Sequence, residues 1–409
     1  MIKIKPYEGK TNEGQILTYY LNLVAEVVPF MPDDVLYDKT KMYKDIGKKP
    51  RTRNKEYVEL LKKEGIPDGK EPDERRKVDA YLAEVLISKY SAGLHEKLYG
   101  SDKIVGGTVE REALRDLLTV SFDHGKLPEG MNWHLAKQDS KKKKDITKKL
   151  LKYVFRYDAF SEVKIPHKGK KNDKRPNIYQ LIAMLGVDVC PYCNRQFTST
   201  VVNGNRQVRP QIDHFRNKST YPFLALSINN LVPSCAVCNL LKHDDDRSIL
   251  YPYDEGLDDN FAFQAECEKD NIVALLTGAK DAEKKFSIKL IERKRKLDDG
   301  YAERVKTSMD ILALDDLYQF HKGYVADLFR QRYMITKKLY EDMEGQFGEW
   351  FNTENEKHSV RLMDYSQENW SKRPLAKLTH DISEQMDELY EDDEVVQQLL
   401  ALLGNEDFT

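Results

Sequence analysis

Apolar and polar positions alternate with a helical period through most of the first 140 residues. Residues 54–65, 74–98 and 110–122 each return an apolar side chain every three or four positions, which predicts three amphipathic helices. Polar connections carrying Pro or Gly, near 48–55 and 66–74, separate the first two from their surroundings. Residues 146–160 predict another amphipathic helix, and 178–189 a buried one closed by Gly186. The period changes after Gln196. β-branched residues cluster at 198–202, Asn203-Gly204-Asn205 is a turn signal, and 207–212 return as a second strand. This predicts a hairpin with Asp213-His214 at its end. Residues 230–246 read as a turn and a helix. A short β element is expected after 251–263, followed by a long aromatic-rich helical stretch at 315–351 and an acidic helical region at 379–404. The pattern is α+β and predominantly α-helical, with no internal repeat.

Composition bounds this picture. At 409 residues, 40% hydrophobic and 33% charged, the chain is globular and long enough for two or three cores. The expected division is a helical N-terminal region (1–140), a basic helix and loop (141–180), a central unit (181–255) and a mostly helical C-terminal region (256–409). No apolar run approaches the roughly 18 residues that span a bilayer, and MIKIKPYEGK lacks the apolar core of a secretory signal, so a cytoplasmic protein without membrane contact is expected. The formal net charge of −2 hides an asymmetry: residues 141–175 carry 14 Lys/Arg against 4 Asp/Glu, while 381–409 carry 10 Asp/Glu and no Lys/Arg. The basic block suits contact with phosphates, although charge runs more often simply face solvent.

The five cysteines sharpen the reading of the centre. Cys190 and Cys193 form one CxxC pair, Cys235 and Cys238 a second, and Cys267 is left over as an ordinary thiol. Without a secretion signal, two such pairs point to a metal site rather than to disulfides. Four thiolates make a closed tetrahedral site for structural zinc, which leaves no position for a reacting water. Chemistry is therefore expected inside the clasped segment. Asp213-His214, Asn230-Leu231 and Asn239, which directly follows Cys238, lie within or beside it. Hydrolysis of a phosphodiester requires a base for water at neutral pH, which an imidazole supplies, and a cation to offset charge on the phosphate. A carboxylate with an amide oxygen is a hard donor pair suited to Mg²⁺ or Mn²⁺.

The order DH, NL, CxxCN and a following Lys resembles the HNH nucleases of bacterial anti-phage defence systems. QIDHFRNKSTYPFLALSINNLVPSCAVCNLLK is most similar to Septu-type and retron-associated members, over about residues 180–255. The resemblance implies a zinc-stabilised ββα-metal core with helical flanks. It implies Asp213 as a metal ligand, His214 as general base, Asn230 as the tie that orients the His214 loop, and Asn239 as second metal ligand. His243, four residues beyond Asn239, is a rival ligand. Arg216, Lys218 and Ser219 are candidate phosphate contacts. Asn217 stands where the similar proteins carry Pro, which predicts a looser loop. Tyr192, between the first two cysteines, reads as packing.

The expected function is metal-dependent cleavage of DNA, with the chain as a defence effector. An RNA or single-strand nuclease of the same fold and a non-catalytic zinc-stabilised nucleic-acid-binding or scaffold subunit are the alternatives. No GxxxxGK[ST] motif occurs, so a partner ATPase would be a separate subunit.

Overall fold

The computed structural model describes residues 1–4, 12–28, 54–100, 109–128, 140–162, 178–203, 206–268, 271, 275, 281–293, 299–334, 345–346 and 367–392. The basic loop at 164–177, most of 335–351 and the acidic stretch beyond 392 lie outside the described residues.

The N-terminal part is helical, as its periodicity predicts: α1 (Glu13–Val27), α2 (Lys55–Lys63), α3 (Pro72–Tyr90), α4 (Ala92–Tyr99) and α5 (Arg111–Leu118). Asn54 caps α2 by accepting the Tyr57 N–H at 2.9 Å, satisfying a donor the helix itself cannot. The single helix expected at 74–98 is broken at Ser91, whose φ of −150° is extended. α6 (Ser140–Lys149) runs into a π-helical turn, Leu150–Phe155, which ends at Arg156 with φ of 49°. A left-handed non-glycine residue is held there by its surroundings: the buried Arg156 guanidinium meets Asp79 at 2.9 Å and donates to the Val27 carbonyl at 3.3 Å. The reversal starts α7 (Tyr157–Glu162) and sets Tyr157 against the centre of the molecule. α8 (Ile178–Leu185) closes at Gly186, which takes the expected left-handed C-cap with φ of 60°.

The central segment departs from the sequence pattern. Val201–Asn203 (β1) and Arg206–Val208 (β2) do form an antiparallel pair, but it stops at Val208. Pro210 lacks an N–H and holds its predecessor extended, so the ladder breaks there. Gln211–His214 is a separate strand, β3, and it pairs with Leu231–Ser234, β4, through Gln211–Ser234, Ile212–Pro233, Asp213–Val232 and His214–Leu231. β4 occupies a stretch expected to be turn. α9 (Ala236–Lys242) follows at once, capped by the Cys235 sulfur, which accepts the Cys238 N–H. The ββα unit that carries Asp213 and His214 is therefore β3–β4–α9, not the β1–β2 hairpin.

Beyond 256 the short β element is instead a long antiparallel ribbon, β5 (Phe261–Cys267) with β6 (Phe286–Glu292). Helices α10 (Asp299–Ile311), α11 (Leu314–Gln319), α12 (Lys322–Met334) and α13 (Ala376–Asp392) accompany it. Side chains cover both exposed edges, which would otherwise offer unpaired backbone groups. Asp381 and Gln385 of α13 accept the Phe263 and Ala265 N–H groups of β5, and Gln319 exchanges hydrogen bonds with Ile288 of β6. Buried apolar side chains form one cluster that runs from Met1 to Met386 and includes all four paired cysteines. Among the described residues no helix is long and apolar enough to cross a membrane.

Candidate active site and metal centre

The four paired cysteines converge. Cys190, Cys193, Cys235 and Cys238 are buried, with sulfurs all within 4.8 Å of one another and Cys193 Sγ 3.9 Å from Cys235 Sγ. A tetrahedral zinc with sulfurs at about 2.3 Å separates them by about 3.8 Å, so the donor set fits. The Arg195 and Cys238 N–H groups donate to Cys193 and Cys235 sulfurs at 3.4 and 3.5 Å. Hydrogen bonds from Cys190 and its neighbours hold the Cys193 thiol well below its ordinary range, while burial pushes Cys190 up. Hydrogen bonds from Cys190 lower Cys235 too, while those from the other cysteines raise Cys238, so the four thiols do not ionise alike; a bound dication allows all four to ionise. Asn194 closes the knuckle at φ of 52° and anchors the C-terminal part: its amide donates to Trp370 O at 2.9 Å and accepts the Lys377 N–H at 3.1 Å. Among the described residues two further groups could hold an ion, Asp123/His124/Asp254 and His380/Asp381/Glu384, neither of them in the ββα unit.

Asp213 and His214 sit side by side on β3, both buried. Asp213 Oδ2 accepts from the Tyr192 hydroxyl at 2.6 Å and lies 3.1 Å from the Lys242 ammonium. Tyr192 is thus more than packing. His214 Nε2 lies 3.1 Å from the Ala225 carbonyl. A carbonyl only accepts, so the neutral ring carries its proton on Nε2 and keeps the Nδ1 lone pair. Tyr157 meets the ring edge-on at 4.4 Å between centroids.

Asn230 is wholly buried and fastens the loop around His214. Its Oδ1 accepts the Arg216 N–H at 2.6 Å, and its Nδ2 donates to Arg216 O at 3.0 Å and Leu224 O at 3.1 Å. Leu224 precedes Ala225, the partner of His214, so the amide fixes both ends of the histidine's surroundings. Asn230→Ala leaves these groups buried and unpaired, and unfolding by urea should show a loss on the order of 2–4 kcal/mol; a change under 0.5 kcal/mol would contradict this. The expected looseness near Asn217 does not follow from the missing proline. Asn217 is buried, accepts the Ser219 N–H at 2.8 Å and donates to Asp244 O at 3.1 Å, bracing the loop against the end of α9.

The remaining candidates separate. Arg216 is turned to structure: its Nε donates to Gly125 O at 2.8 Å, and its Nη2 reaches the same carbonyl. Lys218 lies over the Tyr157 ring, 4.4 Å from the centroid, and burial lowers its pKa. The Ser219 carbonyl accepts the Thr147 hydroxyl at 3.1 Å. Asn239 is on the α9 face toward β3, where its Nδ2 donates to Gln211 Oε1 at 2.6 Å, so its amide oxygen is the atom that could ligate a cation. His243 ends α9 at φ of 39° with an exposed ring 3.8 Å from Asp244, away from Asp213's buried partners. A hard divalent cation suits the Asp213 carboxylate and Asn239 amide oxygens, on condition that it shares Asp213 with the ammonium of Lys242.

Burial first, then the charge of Lys218, pushes the His214 pKa down to about 3, while the Ala225 contact opposes the shift. The folded pKa lies below the unfolded value near 6.5, so in that window the unfolded chain takes up a proton the folded one refuses. Stability should therefore fall as pH falls from about 6.5 toward 3, by about 2 kcal/mol at pH 5 from this residue. Between pH 7.5 and 5 the native chain should lose stability relative to His214→Asn, by about 2 kcal/mol in thermal melts; parallel curves would refute the assignment.

Comparison with known proteins bears on the central stretch alone. No curated protein and no solved structure matches the chain. The family model of the HNH endonuclease does match it, over residues 190–245, from the first paired cysteine to just beyond α9. That central stretch is an HNH endonuclease domain.

Proposed function

We propose that the protein is a metal-dependent endonuclease that hydrolyses phosphodiester bonds of DNA, with His214 as general base. The observation that carries this reading is the juxtaposition, inside an HNH domain, of a buried neutral imidazole with its Nδ1 lone pair available and an adjacent carboxylate on the same strand. Nδ1 of His214 takes a proton from the attacking water. The resulting imidazolium is steadied by its Nε2–H bond to the Ala225 carbonyl, now charge-assisted. Asp213 and Asn239 hold the divalent cation, which supplies positive charge against the phosphate and the leaving oxygen. Cys190, Cys193, Cys235 and Cys238 hold zinc and keep β3 and α9 in register.

A cleft of about 440 Å³ offers an approach for the substrate. Lys63, Lys148, Lys149, Lys152 and Lys218 line it, and its Tyr157 wall is the ring that touches His214. Glu56, Glu59, Asp145 and Asp158 line the cleft too, and Lys152 and Lys149 are paired with Glu56 and Asp145, so the wall is only slightly basic. Lysines along one groove suit a phosphate backbone and read no sequence.

The likeness of the central motif to Septu-type and retron-associated nucleases supports a role as an anti-phage effector working with a separate ATPase or other subunit. Free, closely grouped thiols suit a reducing, cytoplasmic setting. The test is nicking of supercoiled plasmid by the full chain, with Mg²⁺ or Mn²⁺ added and then chelated. Divalent-dependent conversion to open circle is expected. Cleavage of RNA alone would move the substrate to the other nucleic acid, and no cleavage of either, with the partner subunit present, would leave a zinc-stabilised binding module.

A further inference from the structure

Lys242, the lysine that closes the central motif, lies on the inner face of α9. Its side chain is 2% exposed, and its ammonium lies 3.1 Å from Asp213 Oδ2, 3.3 Å from Oδ1 and 2.8 Å from the His214 carbonyl. A charge this deep is tolerated only when paired, so Asp213 and Lys242 require one another. The Tyr192 hydroxyl completes the enclosure at Oδ2, which leaves Oδ1 as the less engaged oxygen. Lys242 also stands one helical turn from Asn239, so α9 turns a cation and an amide toward the same strand.

Asp213 is the one carboxylate assigned to the divalent cation. An ion arriving at Oδ1 comes close to a fixed, buried ammonium, where like charges repel more strongly than in open solvent. We infer that Lys242 is an internal counter-cation that competes with the divalent cation for Asp213. It keeps the carboxylate buried and aligned while the ion is away, and it holds the ion's affinity low, so the ion exchanges readily. The inference rests on reading Asp213 as the metal ligand, and it assigns control of metal loading to a residue that neither binds metal nor touches substrate.

Mn²⁺ titration of the zinc-loaded full chain, followed by the electron-spin signal of free Mn²⁺ and by thermal melting, tests this without nucleic acid. Lys242→Met should bind Mn²⁺ on the order of tenfold or more tightly than the native chain. It should melt lower without Mn²⁺ and regain much of the difference when Mn²⁺ is added, while the native chain shifts little. If Lys242→Met does not fold, Lys242→Gln, neutral and still a donor, carries the same comparison. Unchanged or weaker Mn²⁺ binding in a folded variant overturns the proposal alone. Variants that stay unfolded in excess Mn²⁺ also overturn it, because the added ion should replace the missing charge. If neither the native chain nor the variants bind Mn²⁺, Asp213 is not a metal ligand and both readings fall.

Discussion

Cys193→Ser is expected to release zinc and unfold the centre of the protein. The four sulfurs are the only buried cluster of this kind among the described residues, and other parts of the molecule hang from the knuckle they form. The Tyr318 hydroxyl donates to the Cys193 carbonyl at 2.7 Å, Asn194 holds the start of α13, and Tyr192 holds Asp213. Structural zinc contributes on the order of 10–16 kcal/mol in small zinc domains, against a total stability of about 5–15 kcal/mol for a typical fold. A serine oxygen is a poor substitute for a thiolate on zinc, so the variant should lose most of that contribution. The measurements are zinc content by atomic emission and helicity by circular dichroism. One zinc per native chain is expected, with collapse of the melting transition on prolonged chelation and recovery on adding Zn²⁺ but not Mg²⁺. A zinc-free native protein with an unchanged melt would remove the structural metal from this account.

What the sequence made legible follows from which interactions leave a local mark. The cysteine pairs were readable because thiolate ligand chemistry fixes residue type and spacing together, and the structure brings all four sulfurs to one point. Helices were readable because their period repeats. The ββα unit was misplaced because its second strand, Leu231–Ser234, is buried at every position and contains Pro233, so it shows neither alternation nor strand-like composition. The β1–β2 turn is a genuine local signal, but it belongs to a neighbouring hairpin, and only Pro210 marks the boundary. The β5–β6 ribbon joins strands well apart in sequence, so no tight turn announces it.

The functional side chains show the same division. Arg216 and Lys218 read as phosphate contacts because they are basic and follow the Asp-His pair. Tertiary structure turns Arg216 to the Gly125 carbonyl and stacks Lys218 on Tyr157. Tyr192 and the Lys242 that closes the motif were given no role at the site from sequence, yet both engage Asp213. One signal for Lys242 was available: it lies four residues after Cys238 and three after Asn239, on the face that a zinc-bound helix must turn inward. A lysine on that face requires an anion, and Asp213 is the one the fold supplies.

His214→Ala should lower cleavage on the order of 10²–10⁴-fold with little loss of fold or of DNA binding. The magnitude is that of removing a positioned general base. The fold should survive because the ring makes one hydrogen bond, to Ala225, and one aromatic contact, to Tyr157, while the loop around it is held independently by Asn230. Three measurements separate a catalytic role from a structural one. Plasmid nicking should fall, Mn²⁺ binding should stay near native because Asp213 keeps its Tyr192 and Lys242 partners, and zinc content should not change. The native rate should also hold nearly level between pH 7 and 5.5, because a base whose pKa is near 3 stays unprotonated throughout that range. A histidine at its ordinary value would instead lose rate below about pH 6.5. Full cleavage by His214→Ala would remove the base from this site, and lost Mn²⁺ binding would make the ring a scaffold for Asp213. Activity lost with both metals retained is the outcome that only proton transfer at His214 explains.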